Sequence, residues 1–288
     1  MNKIICDQMP TLDMVAMFNQ EDQKVSLQIA KILPQIASAV EMMVDVFNAG
    51  GRVFYLGSGS GGKIGVLDAS ECPPTFGVDD YQFIAVLSGG VEAAVGWRED
   101  TEDDQELAVS DLTSKNFSCN DILIAVTASG STPYAIAGLN YAKQIGAKAI
   151  AICCSIASVA EEIADLSIVA DVGPELLLGS TRLKAGTAQK MILNMLSTCT
   201  MIKIGKTYNN MMIGVRPINS KLQKRIVNII MDITQVNEDR ASHALQAAEN
   251  DAKVAVLMLK CDLSKAAAQE ALKSHQGFLR KALEANEG

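Results

Sequence analysis

Two short stretches join glycine to hydroxyl side chains directly after an apolar run. Gly57-Ser-Gly-Ser-Gly-Gly62 follows residues 52–56, and Thr127-Ala-Ser-Gly-Ser-Thr132 follows residues 121–126. Hydroxyls, and the first backbone N–H groups of a helix that follows such a turn, are donors that an oxyanion can use. Two such turns at the carboxyl edge of one parallel sheet can converge on a single phosphate. The candidate donors are Ser58, Gly59, Ser60 and Gly61 in the first turn and Ser129, Gly130, Ser131 and Thr132 in the second. The first turn also matches the G-x-G-x-x-G dinucleotide fingerprint, but that site needs an acidic residue at the end of the second strand to hold the ribose. Here the second strand ends Leu87-Ser-Gly-Gly90. A sugar phosphate suits the pair of turns better than a dinucleotide.

Carboxylates are the other reactive groups. Glu71 stands in Asp68-Ala-Ser-Glu-Cys-Pro-Pro74, where two prolines with fixed φ stiffen the loop expected to carry it. Glu99-Asp-Thr-Glu-Asp-Asp-Gln-Glu106 holds six carboxylates in eight residues. Taken alone, this run reads as an exposed helix start, where acidic side chains suit the positive end of the helix dipole. His243 and His275 are the only histidines and both lie in the tail, so neither a Ser-His-Asp triad nor a histidine metal site is expected in the core. Lys184, in Thr181-Arg-Leu-Lys-Ala-Gly186, is a candidate contact for the sugar or the phosphate.

The elements that must position these groups alternate in kind. Short apolar runs at 52–56, 82–87, 121–126, 147–152 and 166–169 are separated by helical segments, and strands apolar on both faces indicate a parallel sheet covered on both sides. The spacing of Val25, Ile29, Ile32, Ile36 and Val40 predicts a helix before the first strand, bent at Pro34. A helix rich in Met and Leu is expected over 181–206 and another helix over 218–236, and a strand-free tail follows. The expected fold is α/β: a three-layer α-β-α sandwich with a five-stranded, mainly parallel sheet over residues 1–237, plus a small C-terminal helical subdomain over 238–288.

Composition narrows the partners. With 25 basic against 33 acidic residues the formal charge is −8, and no basic stripe is present, so nucleic acid is not an expected partner. The longest apolar run, residues 149–160, is shorter than the roughly 20 residues of a membrane helix, and Asp7 and Pro10 interrupt any signal-like stretch, so no membrane partner is expected. Seven scattered cysteines without a C-x-x-C pair fit buried free thiols in a reducing cytoplasm.

The segment Gly51-Arg-Val-Phe-Tyr-Leu-Gly-Ser-Gly-Ser-Gly-Gly-Lys-Ile-Gly-Val-Leu-Asp-Ala-Ser-Glu-Cys-Pro-Pro-Thr-Phe-Gly77 resembles the signature of the N-acetylmuramic acid 6-phosphate etherases, which belong to the sugar-isomerase (SIS) domain group. The resemblance continues through Ser129-Gly-Ser-Thr-Pro-Tyr134, Val172-Gly-Pro-Glu175 and Gly179-Ser-Thr-Arg-Leu-Lys-Ala-Gly-Thr-Ala-Gln-Lys-Met-Ile-Leu-Asn-Met-Leu-Ser197, and spans most of the chain. It implies removal of a D-lactyl ether by elimination and hydration, giving N-acetylglucosamine 6-phosphate and D-lactate. Such chemistry needs one carboxyl group held neutral and one ionised. By the same resemblance Glu71 is the acid that protonates the departing lactate, and Glu102, in Thr101-Glu-Asp103, is the base at C2. The family also implies no metal, no organic cofactor and a homodimer whose sites borrow residues from the neighbouring subunit.

Three positions depart from the family pattern: Gly61 replaces a serine, Lys63 an arginine, and Ser131 an arginine. Losing a hydroxyl ligand could weaken phosphate binding by on the order of 1 kcal/mol. Two other readings follow from these departures: a sugar-phosphate-binding regulator resembling the glucokinase regulatory proteins, and an aldose–ketose phosphosugar isomerase.

Overall fold

In the computed structural model, residues 6–96, 101–215 and 220–286 are described. Glu99 and Asp100 of the acidic run, and Ile218 near the expected start of a late helix, lie outside them. The apolar runs form β1 (Val53–Gly57), β2 (Phe83–Leu87), β3 (Ile122–Val126), β4 (Lys148–Cys153) and β5 (Leu166–Val169). They make one sheet in the order β2-β1-β3-β4-β5, with β1–β3, β3–β4 and β4–β5 paired in parallel. Every residue of β1 and β3 is buried, as strands covered on both faces must be.

Before the sheet come α1 (Thr11–Ala30) and α2 (Leu33–Asn48). The rest of the sandwich adds α3 (Gly59–Phe76), α4 (Gly90–Val95), α5 (Gln105–Ser114), α6 (Pro133–Ile145), α7 (Val159–Ile163) and α8 (Lys184–Lys203). On one face of the sheet Phe54, Leu56, Leu123 and Ala125 pack with Leu112 of α5, Leu139 of α6 and Ala160 of α7. On the other, the Tyr55 hydroxyl donates to Asp68 of α3 at 2.9 Å, and α2 packs on β5. The three layers of the α-β-α sandwich are therefore present. Asp121, 2% exposed, fastens the start of β3 to the start of β1: it accepts from the Arg52 amide at 2.9 Å, from the Arg52 guanidinium at 3.0 and 2.8 Å, and from the Ser118 amide and hydroxyl at 2.9 and 3.0 Å. Burial works to raise its pKa, but the hydrogen bonds from Arg52 and Ser118 outweigh it and hold the carboxyl below the usual carboxylate range.

Two expectations about local structure are corrected. The N-terminal segment is two helices, not one bent helix. The chain turns at Lys31–Ile32 and Pro34 then sits in the first turn of α2, where a missing N–H leaves no bond unmade. Glu71 is carried by α3 and not by a loop, because Pro73 and Pro74 fall in the last turn of that helix, before Gly77 leaves it at φ +65°.

The chain divides into two units, one made of residues 1–68 and 84–196 and the other of residues 69–83 and 197–288. The first holds the sandwich. In the second, α9 (Ser220–Thr234), α10 (Glu238–Ala247), α11 (Ala252–Cys261), α12 (Lys265–Ser274) and α13 (Leu279–Asn286) close around Ile226, Ile230, Leu245, Val256, Leu257 and Leu283. Side-chain caps start three of these helices: Asn237 accepts from the Arg240 amide, Asp251 from the Lys253 and Val254 amides, and Ser264 from the Ala267 amide. The second unit thus takes in residues 69–83 and 197–237, the end of α8 and all of α9 among them, besides the tail from residue 238.

Candidate active site

The strand order puts β1 beside β3 while the chain continues from them in opposite directions across the sheet. Their carboxyl ends flank the switch point, where open α/β sheets bind ligands. A cavity of about 420 Å³ opens there. Ser58 is the one residue between β1 and α3, so the glycine-rich turn is largely the first turn of α3, and Ser58, Gly59, Ser60 and Gly61 all line the cavity. The helix's first amides have no partner within the helix and its dipole favours an anion. A Cβ at Gly61 would lie 2.7 Å from the Val126 carbonyl oxygen, so glycine lets α3 lie this close to β3.

The second turn supplies Ser129 and Thr132. The Thr127 hydroxyl donates to that of Thr132 at 3.0 Å, and Ser131 donates to the Ser129 hydroxyl from both its amide and its own hydroxyl, at 3.2 and 3.1 Å. Gly130, at φ +68°, would bring a Cβ within 2.3 Å of the Ser158 hydroxyl. Gly130 and Ser131 thus shape the turn, and neither is among the residues that line the cavity.

Glu102 does line it, two residues before Asp104, which caps α5 by accepting from the Leu107 amide at 2.9 Å. The Glu102 carbonyl accepts from the Tyr134 amide at 3.0 Å, tying this segment to the start of α6, two residues after Thr132. The Tyr134 hydroxyl in turn donates to Asp111 of α5 at 2.7 Å, and burial raises its pKa. A carboxylate and a set of hydroxyl and amide donors therefore share one cavity.

Lys184 and Glu71 are placed elsewhere. Lys184 is 3% exposed and its ammonium donates to Glu21 of α1 at 2.9 Å, so this lysine is an internal tie and not a lining residue. Glu71 is exposed, belongs to the second unit, and is not among the lining residues. Lys63 donates to the Gly96 carbonyl at 2.8 Å. Of the lining residues that were not sequence candidates, Arg182 and Gln189 carry the longest polar side chains. Arg182, the one cation among the described lining residues, lies only two positions before Lys184, and Gln189 follows it on α8. The arginine could have been found by asking which cation in that segment precedes the helix; nothing in the sequence distinguishes Gln189.

The sulfur groups offer no nucleophile here. All seven cysteines are free, with Cys72 and Cys153 buried but Cys119 and Cys199 exposed, so not all are core thiols. Burial pushes the Cys154 thiol up to about 12 and raises Cys153 as well.

Two family models match: the glucokinase regulatory protein N-terminal SIS domain over residues 35–143 and the SIS domain over residues 106–198. A Vibrio campbellii protein named N-acetylmuramic acid 6-phosphate etherase is 46% identical over 281 residues, covering 98% of this chain and 91% of its own. One of the same name from Pseudoalteromonas atlantica is 48% identical over 281 residues, covering 98% and 92%. The chain belongs to the N-acetylmuramic acid 6-phosphate etherase family. Among solved structures, a phosphoheptose isomerase from Francisella tularensis aligns with this etherase-family chain at a TM-score of 0.53 and 18% identity, over 67% of this chain and 100% of the other, a likeness of fold. Among the described residues of this etherase-family member, no group of three or more His, Cys, Asp or Glu could hold a metal ion, and no helix is long and apolar enough to cross a membrane.

Proposed function

We propose that this protein is a carbon–oxygen lyase that acts on N-acetylmuramic acid 6-phosphate, releasing D-lactate and N-acetylglucosamine 6-phosphate in the cytoplasm during recycling of cell-wall sugars. The observation that carries the reading is the cavity at the switch point, where Ser58, Ser60, Ser129 and Thr132 stand with Glu102 in a chain 46–48% identical to proteins of that name over nearly its whole length. The phosphate docks on the hydroxyls and on the first amides of α3. In the open-chain aldehyde the carbonyl acidifies the C2 proton, which Glu102 removes first; the C3–O bond then breaks as Glu71 protonates the departing lactate oxygen. Water then adds at C3 of the unsaturated aldehyde, giving its proton to Glu71, and Glu102 returns a proton to C2. The aldehyde itself is the electron sink.

Glu71 reaches this chemistry in a homodimer, as a residue borrowed from the neighbouring subunit. Its exposure supports that role, and Leu12, Val15 and Leu27, exposed on α1, supply an apolar surface for association. The regulator and isomerase readings are not favoured, since the near-full-length relatives carry the etherase name. Incubating the protein with N-acetylmuramic acid 6-phosphate and following free lactate tests the proposal. Lactate and N-acetylglucosamine 6-phosphate should appear in equal amounts; binding without turnover, or rearrangement with the ether intact, would overturn it.

A further inference from the structure

Gln189, in the second turn of α8, is 1% exposed, yet its amide nitrogen has no hydrogen-bond partner among the described residues. The residues around it on the helix, Ala188, Ile192 and Leu193, are buried and apolar. An apolar side chain of similar volume would fill that position without stranding a donor. The hydroxyl oxygen of Ser58 is the other described buried side-chain atom without a partner, and both residues line the same cavity. Arg182, Thr181 and Gly179 line it too, but they are exposed and mark its mouth, so Ser58 and Gln189 belong to its floor.

We infer that Gln189 is a substrate-binding residue whose side-chain N–H groups, with the Ser58 hydroxyl, donate to the phosphoryl oxygens of the bound sugar. The ligand class follows from what is missing. Ser58 directly precedes α3, so the orphaned hydroxyl stands at the positive end of that helix and the orphaned amide is a donor. A group that offers several acceptor oxygens and brings no donor of its own satisfies both together; an ionised phosphate does so, whereas a sugar hydroxyl brings a donor that itself needs an acceptor. The carboxamide is neutral, so it adds to the phosphate site without adding charge. The inference rests on the phosphosugar reading and assigns the floor of that site.

The test compares the wild-type homodimer with Gln189→Met and Gln189→Glu. Gln189→Met removes the orphaned donor at nearly constant volume, so the ligand-free variant should unfold at or above the wild-type temperature. Its Kd for N-acetylglucosamine 6-phosphate, measured calorimetrically, should rise about tenfold or more, while the weak affinity for N-acetylglucosamine without phosphate stays the same. Gln189→Glu sets a carboxylate against the phosphate and should bind worse still, with partial recovery as pH falls and that carboxyl protonates. Unchanged affinity in both variants, or an equal loss for the phosphorylated and unphosphorylated sugars, overturns the assignment. If the wild type binds neither sugar, the phosphosugar reading has failed; inorganic phosphate then tests the floor by itself. Millimolar phosphate should raise the wild-type unfolding temperature more than that of Gln189→Met, and equal shifts would overturn the inference.

Discussion

At the scale of single residues, the proposed chemistry divides between two carboxylates that cannot substitute for each other. Glu102→Gln keeps the shape of the side chain and removes its ability to take a proton. Turnover should fall by about 10²–10⁴-fold, with no C2 exchange in deuterated water and an unchanged unfolding temperature. Glu71→Gln should stop lactate release yet leave C2 exchange measurable, because the C2 proton is lost before the ether oxygen needs one. Equal, near-wild-type rates in both variants would sink the two roles. Ser129→Ala and Thr132→Ala should act mainly on KM, each raising it by about five- to tenfold as one donor to a charged oxygen is lost. The sequence shows these residues by type and spacing: one glycine–hydroxyl turn after an apolar run can be no more than a tight strand-to-helix turn, but a pair of them points to one phosphate. It could not separate Lys184 from Arg182. Both are cations in one segment, and only the packing of α1 tells which one finds a carboxylate inside the protein.

At the scale of elements, the site depends on how closely α3 lies on β3 and how firmly β1 and β3 are fastened. A Cβ at Gly61 would meet a backbone oxygen, which cannot swing aside as a side chain does. Gly61→Ser should therefore destabilise by about 1–3 kcal/mol and fail to tighten phosphate binding, even though the etherases resembled here usually carry serine there; a more stable or tighter-binding variant would contradict the close approach. Asp121 is held ionised, and the sign of its pH effect follows. Its folded pKa lies below the unfolded value of about 4, so the stability it confers is present above that value and drains away as pH falls through the folded pKa. Asp121→Asn, which leaves Arg52 short of its partner, should cost about 3 kcal/mol at pH 7, and the gap in unfolding temperature from wild type should narrow below about pH 4. A gap independent of pH would rule out an ionised Asp121 as the cause. Strands buried on both faces are legible because every position is apolar. The break between α1 and α2 and the helical course through Pro73 and Pro74 were not: Pro34 in a first turn costs no hydrogen bond but reads like a bend, and Pro73 and Pro74 each forgo a helical N–H bond, so they read as a stiff loop although α3 runs through them to Phe76.

At the scale of the whole molecule, the division into two units was less legible than the sandwich. Residues 69–83 group with the helices after residue 197, and that grouping rests on contacts far apart in sequence, which periodicity does not report. The strand-free tail was legible as helical, but the caps at Asn237, Asp251 and Ser264 that start α10, α11 and α12 were not singled out in the sequence. Association belongs to this scale as well. If each site takes Glu102 from one subunit and Glu71 from the other, mixing inactive Glu71→Gln and Glu102→Gln proteins under conditions of subunit exchange should restore about a quarter of wild-type activity, through mixed dimers with one intact site. A mixture as inactive as its components would place both groups in sites built from one chain.

Running the reaction in deuterated water and assaying both products separates elimination from direct displacement. Elimination and hydration, with Glu102 as the base, predicts one D-lactate released for each N-acetylglucosamine 6-phosphate formed, and solvent deuterium at C2 of that sugar. Lactate release with the original hydrogen retained at C2 would mean direct displacement of the ether. That result would contradict the account at its first step.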